Sequence, residues 1–310
     1  MDRFQHLDDA LGGATVQVVD DLMSALRPRL LAGAFSGSFA ESENTRHADN
    51  FLSAHDLWMH EQYQQRIQRF LPSFIYASEE ADPIVVGHDP DPDLCVLVDP
   101  LDTSELAVRG LLGYTHVMVY SRELARPVLA VVGDIYHHIR FYVATSDESG
   151  VDRAFALTAD GQMMELKRRP ARSLSDSIIT NFLMRPTERL MPLSRQTRLI
   201  SALDEPGDDG KSRGRIGVDF GSVSLCHVAA GFTEAVVEFA KGFAIWDLAP
   251  GHYILHAAGG TVLDLDGAPM SLDHGLASLT DIADAMNRRQ TFVAAGSEQL
   301  AREVLDTLDV

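Results

Sequence analysis

The chain has 310 residues, of which 45% are hydrophobic and 23% are charged, and its formal net charge is −19. This composition is typical of a globular protein with one large or two medium domains. The acidic excess argues against nucleic acid and anionic membrane surfaces as partners, because both repel a strongly negative molecule.

No segment of the sequence predicts export or membrane insertion. No apolar run approaches the roughly 18 residues that a membrane span requires, and the N-terminal MDRFQHLDDALGG lacks the apolar centre of a signal peptide. The two cysteines, Cys95 and Cys226, lie in apolar surroundings and do not indicate a disulfide framework. We therefore expect an intracellular, cytoplasmic protein.

The first half of the chain predicts two helices followed by several strands. Apolar residues at helical spacing predict a helix over residues 14–33, broken at Pro28 and ended by Gly33. The polar residues 36–50 predict a loop, and residues 53–70 predict a second helix. The segments SFIYAS, LCVLV, HVMVY, PVLAVVGDIY and IRFYVAT predict strands, with a helical pattern, DTSELAVRGLL, between LCVLV and HVMVY.

The second half predicts helices and strands in alternation. SIITNFL predicts a strand, residues 204–215 a charged loop, and SVSLCHVAAG a helix of small residues. DLAPGHYILHAAGG predicts a helix and TVLDLDG a strand, before a closing helix, strand and helix. Short strands with flanking helices indicate an α/β or α+β sandwich. A boundary near 160–175 would divide it into halves, residues 1–165 and 166–310.

The most informative stretch is CVLVDPLDTSELAVRG, residues 95–110, in which a buried strand leads directly into two acids. Pro100 fixes its own φ and biases Asp99 away from helix, which predicts a tight turn that places Asp99 and Asp102 on one side. These carboxylates and the Leu101 carbonyl are the hard oxygens that Mg²⁺ prefers. Alternatively, the Asp-Pro pair is a plain turn and Asp102 only caps the next helix.

Further polar groups strengthen the metal interpretation. The amides of Thr103 and Ser104, at the start of the predicted helix, would suit an anionic phosphate. Glu79 follows a strand as Asp99 does, Asp247 begins a helix behind a tryptophan, and Asp56 lies on the helix before Glu79. Each acid alone has an ordinary explanation, such as a helix cap or a solvated face. Their joint occurrence favours a metal site.

Three ordered motifs resemble those of the inositol monophosphatase family of metal-dependent phosphomonoesterases. They are Glu79-Glu80, then Asp99-Pro100-Leu101-Asp102-Thr103-Ser104, and then Trp246-Asp247-Leu248-Ala249-Pro250-Gly251. The flanking segments VRG (108–110), VAAG (228–231) and AAGGTVLDLDG (257–267) agree with the family as well. The similarity is strong over residues 53–110 and 217–267 and poor over 161–215.

The resemblance implies the fold of the inositol monophosphatase and fructose-1,6-bisphosphatase type, a layered αβαβα sandwich in the α/β (α+β) class. It also implies a homodimer, Mg²⁺ as the cofactor and Li⁺ as an inhibitor. The implied metal ligands are Glu79, Asp99, the Leu101 carbonyl, Asp102 and Asp247. Asp56 and Ser104 would activate the attacking water, and the implied or candidate substrate contacts are Thr103, Ser104, Glu238, Lys241 and Arg215.

The sequence departs from the family pattern at four places, one of which, Ser104 where the family usually has Thr, keeps the hydroxyl. Thr103 stands where the family has Gly, so the loop must accommodate a side chain, with a backbone angle that need not be the glycine one. Pro250 replaces an Ala in what we expect to be the first turn of a helix, where Pro is tolerated. Glu238 would match the acid that contacts the inositol ring, but two extra residues separate it from Asp247.

These observations lead to three functional hypotheses. The first is a Mg²⁺-dependent phosphatase that acts on a small phosphorylated metabolite, such as an inositol phosphate-like polyol or a sugar phosphate. The second is the same chemistry on a nucleotide 3′-phosphate, fructose 1,6-bisphosphate or histidinol phosphate. The third is a non-catalytic regulator that binds metal or phosphate with this fold, a hypothesis that Thr103 keeps open.

Overall fold

The computed structural model describes residues 10–46, 50–147, 149–167, 170, 172–207 and 209–309. The helices are α1 (Ala10–Ser36), α2 (Ala54–Ile67), α3 (Ser104–Ala107), α4 (Met191–Ser194), α5 (Thr197–Asp204), α6 (Gly221–Ala230), α7 (Ile245–Ala257), α8 (Leu279–Met286) and α9 (Glu298–Thr307). The strands are β1 (Phe74–Ser78), β2 (Ala81–Val86), β3 (Leu94–Asp102), β4 (Tyr114–Ser121), β5 (Arg126–Asp134), β6 (Ile139–Ser146), β7 (Asp152–Thr158), β8 (Met163–Leu166), β9 (Ile178–Asn181), β10 (Arg215–Val218), β11 (Ala235–Phe243), β12 (Thr261–Leu263) and β13 (Gln290–Ala295).

The chain divides into two compact units. The first contains the described residues up to Glu165 together with Leu272–Asn287, and the second contains Leu166–Ser271 together with the described residues from Arg288 onward. Helix α8 therefore belongs to the first unit, whereas the strand that follows it, β13, belongs to the second.

The first unit is built on a sheet of eight strands in the order β2-β1-β3-β4-β5-β6-β7-β8. Strands β1 and β3 are parallel, and the neighbouring pairs from β3 to β7 are antiparallel. Helices α1 and α2 pack on this sheet through a fully buried core that includes Leu22, Tyr63 and Val131. At Gly133 of β5 an added Cβ would lie 2.5 Å from the sulfur of Met23, so α1 approaches the sheet closely there.

Helix α1 runs without interruption through Pro28, so the predicted break at this residue and the predicted end at Gly33 are wrong. A proline inside a helix removes one hydrogen bond and crowds the preceding turn. Leu22 and Leu26 before Pro28 and Leu30 after it are all fully buried. Tertiary packing of this apolar face outweighs the local helix-breaking tendency.

The second unit is built on a sheet of five strands in the order β10-β9-β11-β13-β12. Strands β10, β9 and β11 are mutually parallel, and β13 is antiparallel to both β11 and β12. Helices α5 and α9 pack on one face, in a core that contains Val237 and Val293. Helices α6 and α7 pack on β11 and on each other, and at Gly251 an added Cβ would lie 2.5 Å from the Ser222 carbonyl oxygen.

Two predictions about the whole chain can be compared with the structure. Among the described helices, none combines the length and apolar character that membrane crossing requires. Cys95 and Cys226 are buried and free, as the absence of a disulfide framework predicts. Burial raises the pKa of the Cys95 thiol to about 12, which leaves it an inert core group.

Candidate functional site

A bulge in β3 determines how the two motif aspartates are presented. Strand β3 pairs with β4 so that Asp99 lies opposite His116 and Asp102 lies opposite Tyr114. Three steps along β3 thus match two steps along β4, which means that β3 has one extra residue within 100–101. Side chains three residues apart in a regular strand point to opposite faces, and the extra residue brings both carboxylates to the same side.

The sequence predicted this juxtaposition but assigned it to the wrong local structure. We expected a tight turn after the strand, whereas residues 99–102 still belong to β3. Pro100 has no amide proton for the ladder, and proline is tolerated within sheets mainly at edges and bulges. The same bulge therefore accommodates Pro100 and turns the side chain of Asp102 to the face that Asp99 occupies.

Asp99, Asp102 and His116 form a buried cluster, in which one potential ligand atom from each residue lies within 4.8 Å of the other two. The His116 Nε2 atom is 3.3 Å from Asp102 Oδ2, and its Nδ1 atom is 3.7 Å from Asp99 Oδ2. Asp102 Oδ2 is buried and accepts no hydrogen bond from the residues that the structure describes. Two buried carboxylates are costly unless a cation compensates them, so this donor set fits a metal ion.

Glu79 lies beside the same end of β3. Ser78 at the end of β1 pairs in parallel with Val98, and the Glu79 amide donates to the Val98 carbonyl at 3.2 Å. Glu79 and Asp99 therefore both come directly after the last residues through which β1 and β3 pair in parallel, at the same end of this pair. Burial, followed by the charge of Asp56, raises the pKa of the adjacent Glu80 carboxyl to about 8, although Arg46 opposes this shift.

Asp56 is held rigidly at the start of α2 by a reciprocal cap. Its Oδ2 atom accepts from the Ser53 amide at 2.8 Å and from the Ser53 hydroxyl at 2.6 Å. The Asp56 side chain is only 1% exposed. Burial raises its pKa, although the hydrogen bonds from Ser104 and Ser53 oppose this rise. A carboxylate whose pKa is raised is a stronger base than an ordinary aspartate.

Ser104, the first residue of α3, connects Asp56 to the β3 bulge. Its hydroxyl makes a short hydrogen bond with Asp56 Oδ1 and lies 2.7 Å from the Leu101 carbonyl oxygen. The hydroxyl is the donor in both contacts, so its single proton is shared between the Asp56 carboxylate and the Leu101 carbonyl. The structure thus brings together the two residues predicted to activate water.

Thr103 adopts the backbone conformation that favours glycine. Its φ and ψ are 59° and 40°, in the left-handed region. A β-branched residue is a genuine outlier there, because its Cβ crowds the following carbonyl group. The Thr103 hydroxyl donates to the Asp102 carbonyl at 2.6 Å. The chain therefore retains the glycine-type angle in this loop despite the side chain.

Asp247 lies in the first turn of α7 in the second unit, and its Oδ2 atom accepts from the Ala244 amide at 3.3 Å. Because α7 begins at Ile245, Pro250 is the sixth helical residue, and its predicted place in the first turn is wrong. The Ser222 hydroxyl donates to the Asp247 carbonyl at 2.7 Å and accepts from the Gly251 amide at 3.1 Å. A side chain from α6 is thus inserted into the hydrogen-bond ladder of α7 beside the proline.

Glu238 is fully engaged inside the second unit. It forms a buried ion pair of 2.6 Å with Arg189, and its other oxygen accepts from the amides of Ala240, Lys241 and Gly242 at 3.1–3.3 Å. Strand β11 is irregular between Glu238 and Phe243, and Gly242 has a φ of 80°. The carboxylate therefore holds this irregular segment together, and its predicted contact with substrate stays a prediction.

The two remaining substrate candidates also contact groups of their own unit. The Lys241 ammonium lies 2.8 Å from a Glu188 carboxylate oxygen. This hydrogen bond lowers the pKa of the Glu188 carboxyl. Arg215, at the start of β10, donates to the carbonyls of Ser212 and Gly214 at 3.2 and 2.7 Å. Their roles in substrate binding likewise remain predictions.

Sequence reasoning missed His116 and the bridging role of Ser222. The HVMVY segment offered one signal for His116, which is a polar residue in an otherwise apolar strand. Its position opposite Asp99 depends on the register of β3 and β4, and no single-sequence pattern reveals that register. Ser222 likewise depends on the packing of α6 against α7.

We predict that Thr103→Gly increases the free energy of unfolding by up to about 1 kcal/mol, because relief of the left-handed strain exceeds the added chain entropy of glycine. Urea unfolding of the purified protein measures this change. Thr291→Gly, in the ordinary strand conformation of β13, is the matched control and should lose about 1 kcal/mol. Equal losses in both variants would contradict the strain at Thr103.

We predict that Ser222→Ala lowers the free energy of unfolding by about 1–3 kcal/mol, because the Asp247 carbonyl and the Gly251 amide both lose their partner. The control is Ser224→Ala in the same helix, where the hydroxyl donates to the Gly221 carbonyl of its own turn. Chemical unfolding of both variants should show the larger loss for Ser222→Ala. Losses that agree within error would show that the bridge contributes nothing.

Comparison with known proteins supports the motif-based resemblance. The description "Inositol monophosphatase family" belongs to a family model that matches residues 22–301. The protein named "Nus factor SuhB" from Pasteurella multocida (strain Pm70) is 26% identical over 209 residues, which cover 67% of this chain and 70% of that protein.

Two solved structures share the fold. A structure described as IMPase/NADP phosphatase complexed with Mg²⁺ and phosphate matches with a TM-score of 0.63 and 17% identity, over 96% of this chain and 97% of that one. The fructose-1,6-bisphosphatase of Leishmania major matches with a TM-score of 0.67 and 12% identity, over 95% and 93% of the two chains. The predicted fold class is therefore confirmed as a mixed α/β layered fold with two sheets. The chain belongs to the inositol monophosphatase family.

Proposed function

We propose that this protein is a Mg²⁺-dependent phosphatase that hydrolyses a small phosphomonoester, an inositol phosphate-like polyol or a sugar phosphate. The observation that supports this proposal most strongly is that a pair of potential metal ligands and a potential acid–base pair meet at the β3 bulge. Buried Asp99 and Asp102 share one side of the strand, and the Asp56–Ser104 pair contacts the Leu101 carbonyl between them. A solved relative with this fold is described as complexed with Mg²⁺ and phosphate.

Asp99, Asp102, the Leu101 carbonyl and Glu79 are the groups of the first unit that we propose to hold the ion. All are hard oxygen donors, which Mg²⁺ prefers. The bound ion supplies Lewis acidity and neutralises the charge that develops on the phosphate and on the leaving oxygen. The assignment of Asp247 as a further ligand rests on its sequence motif and stays a prediction.

The residues of α2 and α3 would provide the acid–base chemistry. The Ser104 hydroxyl, fixed by Asp56 and the Leu101 carbonyl, orients the attacking water in line with the phosphorus atom. Asp56 accepts the proton of that water through the hydrogen bond that it shares with Ser104. Its rigid cap keeps the carboxylate in place, and burial strengthens it as a base. Thr103 and Ser104 would contact the phosphate, and no covalent phosphoenzyme is required.

A non-catalytic regulator is the second candidate function. It is favoured by the relative named "Nus factor SuhB" and by the threonine side chain at position 103. A side chain in the loop proposed to contact phosphate would narrow the space available to a substrate. This candidate predicts an intact fold without phosphate release on any substrate.

The test that separates the two is a phosphate-release screen with Mg²⁺ and with EDTA. The panel includes an inositol phosphate, a sugar phosphate, fructose 1,6-bisphosphate, a nucleotide 3′-phosphate and histidinol phosphate. Release that requires Mg²⁺ supports the phosphatase and identifies its substrate class. Inactivity across the panel in well-folded protein supports the regulator.

We predict that Asp99→Asn lowers turnover of the active substrate by about a thousandfold or more, because it removes a charged ligand from the ion that stabilises the transition state. Steady-state kinetics at saturating Mg²⁺ measure this loss, and thermal unfolding checks the fold. Asp93→Asn is the matched control at the opposite end of the strand, where the carboxylate accepts from Ser121 and the Glu123 amide. Near-normal turnover of Asp99→Asn would remove the metal assignment.

We predict that Ser104→Ala lowers kcat by about a hundredfold or more, whereas Ser104→Thr retains most of the activity because it keeps the hydroxyl. Both variants are compared with the unmodified protein at the same Mg²⁺ concentration. A full rate in Ser104→Ala would exclude the hydroxyl from water activation. An equal loss in both variants would indicate that the loop geometry, and not the hydroxyl, is required.

The remaining expectations depend on the same proposal. We propose a cytoplasmic homodimer whose partner is a small phosphorylated metabolite, with neither nucleic acid nor a membrane as partner. Competition between Li⁺ and Mg²⁺ in the phosphate-release assay tests the proposed inhibition. Size-exclusion chromatography with light scattering measures the oligomeric state.

A further inference from the structure

His116 is brought to the acidic cluster by strand pairing. It lies on β4 directly opposite Asp99 of β3, and opposite residues in an antiparallel pair project to the same face. The ring is fully buried. It is therefore part of the wall of the cluster and not a surface group that happens to approach it.

Each nitrogen of the His116 ring faces a different carboxylate. Nε2 lies 3.3 Å from Asp102 Oδ2, and Nδ1 lies 3.7 Å from Asp99 Oδ2. Asp102 Oδ2 accepts no hydrogen bond from any described residue, so its approach to Nε2 is a contact without a hydrogen bond. Neighbouring ligands in an octahedral shell, each about 2.1 Å from the ion, are about 3 Å apart. The observed separation is close to that value.

The second ring nitrogen lies 3.7 Å from a carboxylate, which is beyond hydrogen-bond length but on the side where a coordinating histidine has its outer partner. A histidine that binds metal through one nitrogen commonly donates the other N–H to a carboxylate, which fixes the ring orientation. Asp99 Oδ2 lies on the Nδ1 side of His116. Asp102 would thus share the ion with Nε2, and Asp99 would give one oxygen to the ion while the other, Oδ2, faces Nδ1.

An imidazole ligand changes which ions the site prefers. Mg²⁺ strongly favours oxygen donors, whereas imidazole nitrogen suits borderline transition-metal ions. Mn²⁺ accepts carboxylate and imidazole ligands together and resembles Mg²⁺ in its geometry. A mixed set of two carboxylates and one imidazole therefore favours an ion such as Mn²⁺ over Mg²⁺.

We propose that His116 is a direct nitrogen ligand of the metal site in the first unit and raises the affinity of this site for Mn²⁺-type ions relative to its affinity for Mg²⁺. The proposal deepens the proposed function, because it concerns the ion-binding residues of the same site. The role of His116 requires metal binding but not turnover. This role and the proposed phosphatase activity can therefore each fail without the other.

The test uses the full chain loaded with Mn²⁺ and measures electron spin-echo modulation, which detects nitrogen nuclei coordinated to the ion. The unmodified protein should show nitrogen modulation, and His116→Gln should lose it while it still binds Mn²⁺. Equilibrium dialysis should show about a tenfold or greater fall in Mn²⁺ affinity for His116→Gln, with a change in Mg²⁺ affinity of less than about threefold. His274→Gln, at another buried histidine of this unit outside the cluster, should match the unmodified protein.

Several outcomes would overturn the proposal. Nitrogen modulation absent from the Mn²⁺-loaded unmodified protein would do so without any variant, as would modulation that persists in His116→Gln. Tighter Mn²⁺ binding in His116→Gln would show that the ring competes with the ion for the carboxylates. Nitrogen modulation without phosphate release on the panel would support His116 as a ligand and reject the phosphatase. Mg²⁺-dependent phosphate release without nitrogen modulation would support the phosphatase and reject His116 as a ligand.

Discussion

The extra residue in β3 is the constraint on which the geometry of the first unit's site depends. Without it, Asp99 and Asp102 would project to opposite faces of the sheet, and His116 could approach only one of them. The bulge also places the Leu101 carbonyl where Ser104 contacts it. Strand β1 pairs with β3 up to Val98, directly before the bulge, and β4 pairs with β3 on either side of it, which holds the irregular backbone in place. The positions of the potential ligands are therefore fixed before any ion binds.

Burial of acidic groups gives this site a chemistry that the net charge of the chain does not reveal. Burial raises the pKa of both Asp56 and Glu80, which indicates that negative charge is costly in this region. A bound cation would reverse this balance, since it stabilises nearby carboxylates in their charged form. A molecule that repels anions as a whole would then have one place that accepts a phosphate.

The departures from the family pattern are accommodated by two different local devices. Thr103 keeps a left-handed backbone, at the cost of strain that the surrounding structure must support. Pro250 has no amide proton for the Trp246 carbonyl one turn earlier, and beside it the hydroxyl of Ser222 bridges the Asp247 carbonyl and the Gly251 amide. At both positions the backbone accommodates a residue that differs from the one in the family pattern.

The sequence by itself predicted the fold class and named the acids and the hydroxyl of the first unit's candidate site, because ordered local motifs resemble those of a known family. The strand before Asp99, the cap at Asp56 and the hydroxyl at Ser104 are all short-range features. Only the tertiary structure decided what depends on pairing between distant segments: the register that sets His116 against Asp99, the α6 hydroxyl inside α7, and the ion pair that occupies Glu238. It also overrode the break predicted at Pro28, since buried packing on both sides outweighs one lost hydrogen bond. Contacts between residues far apart in sequence leave no periodic trace in either segment, and a single sequence therefore cannot predict them.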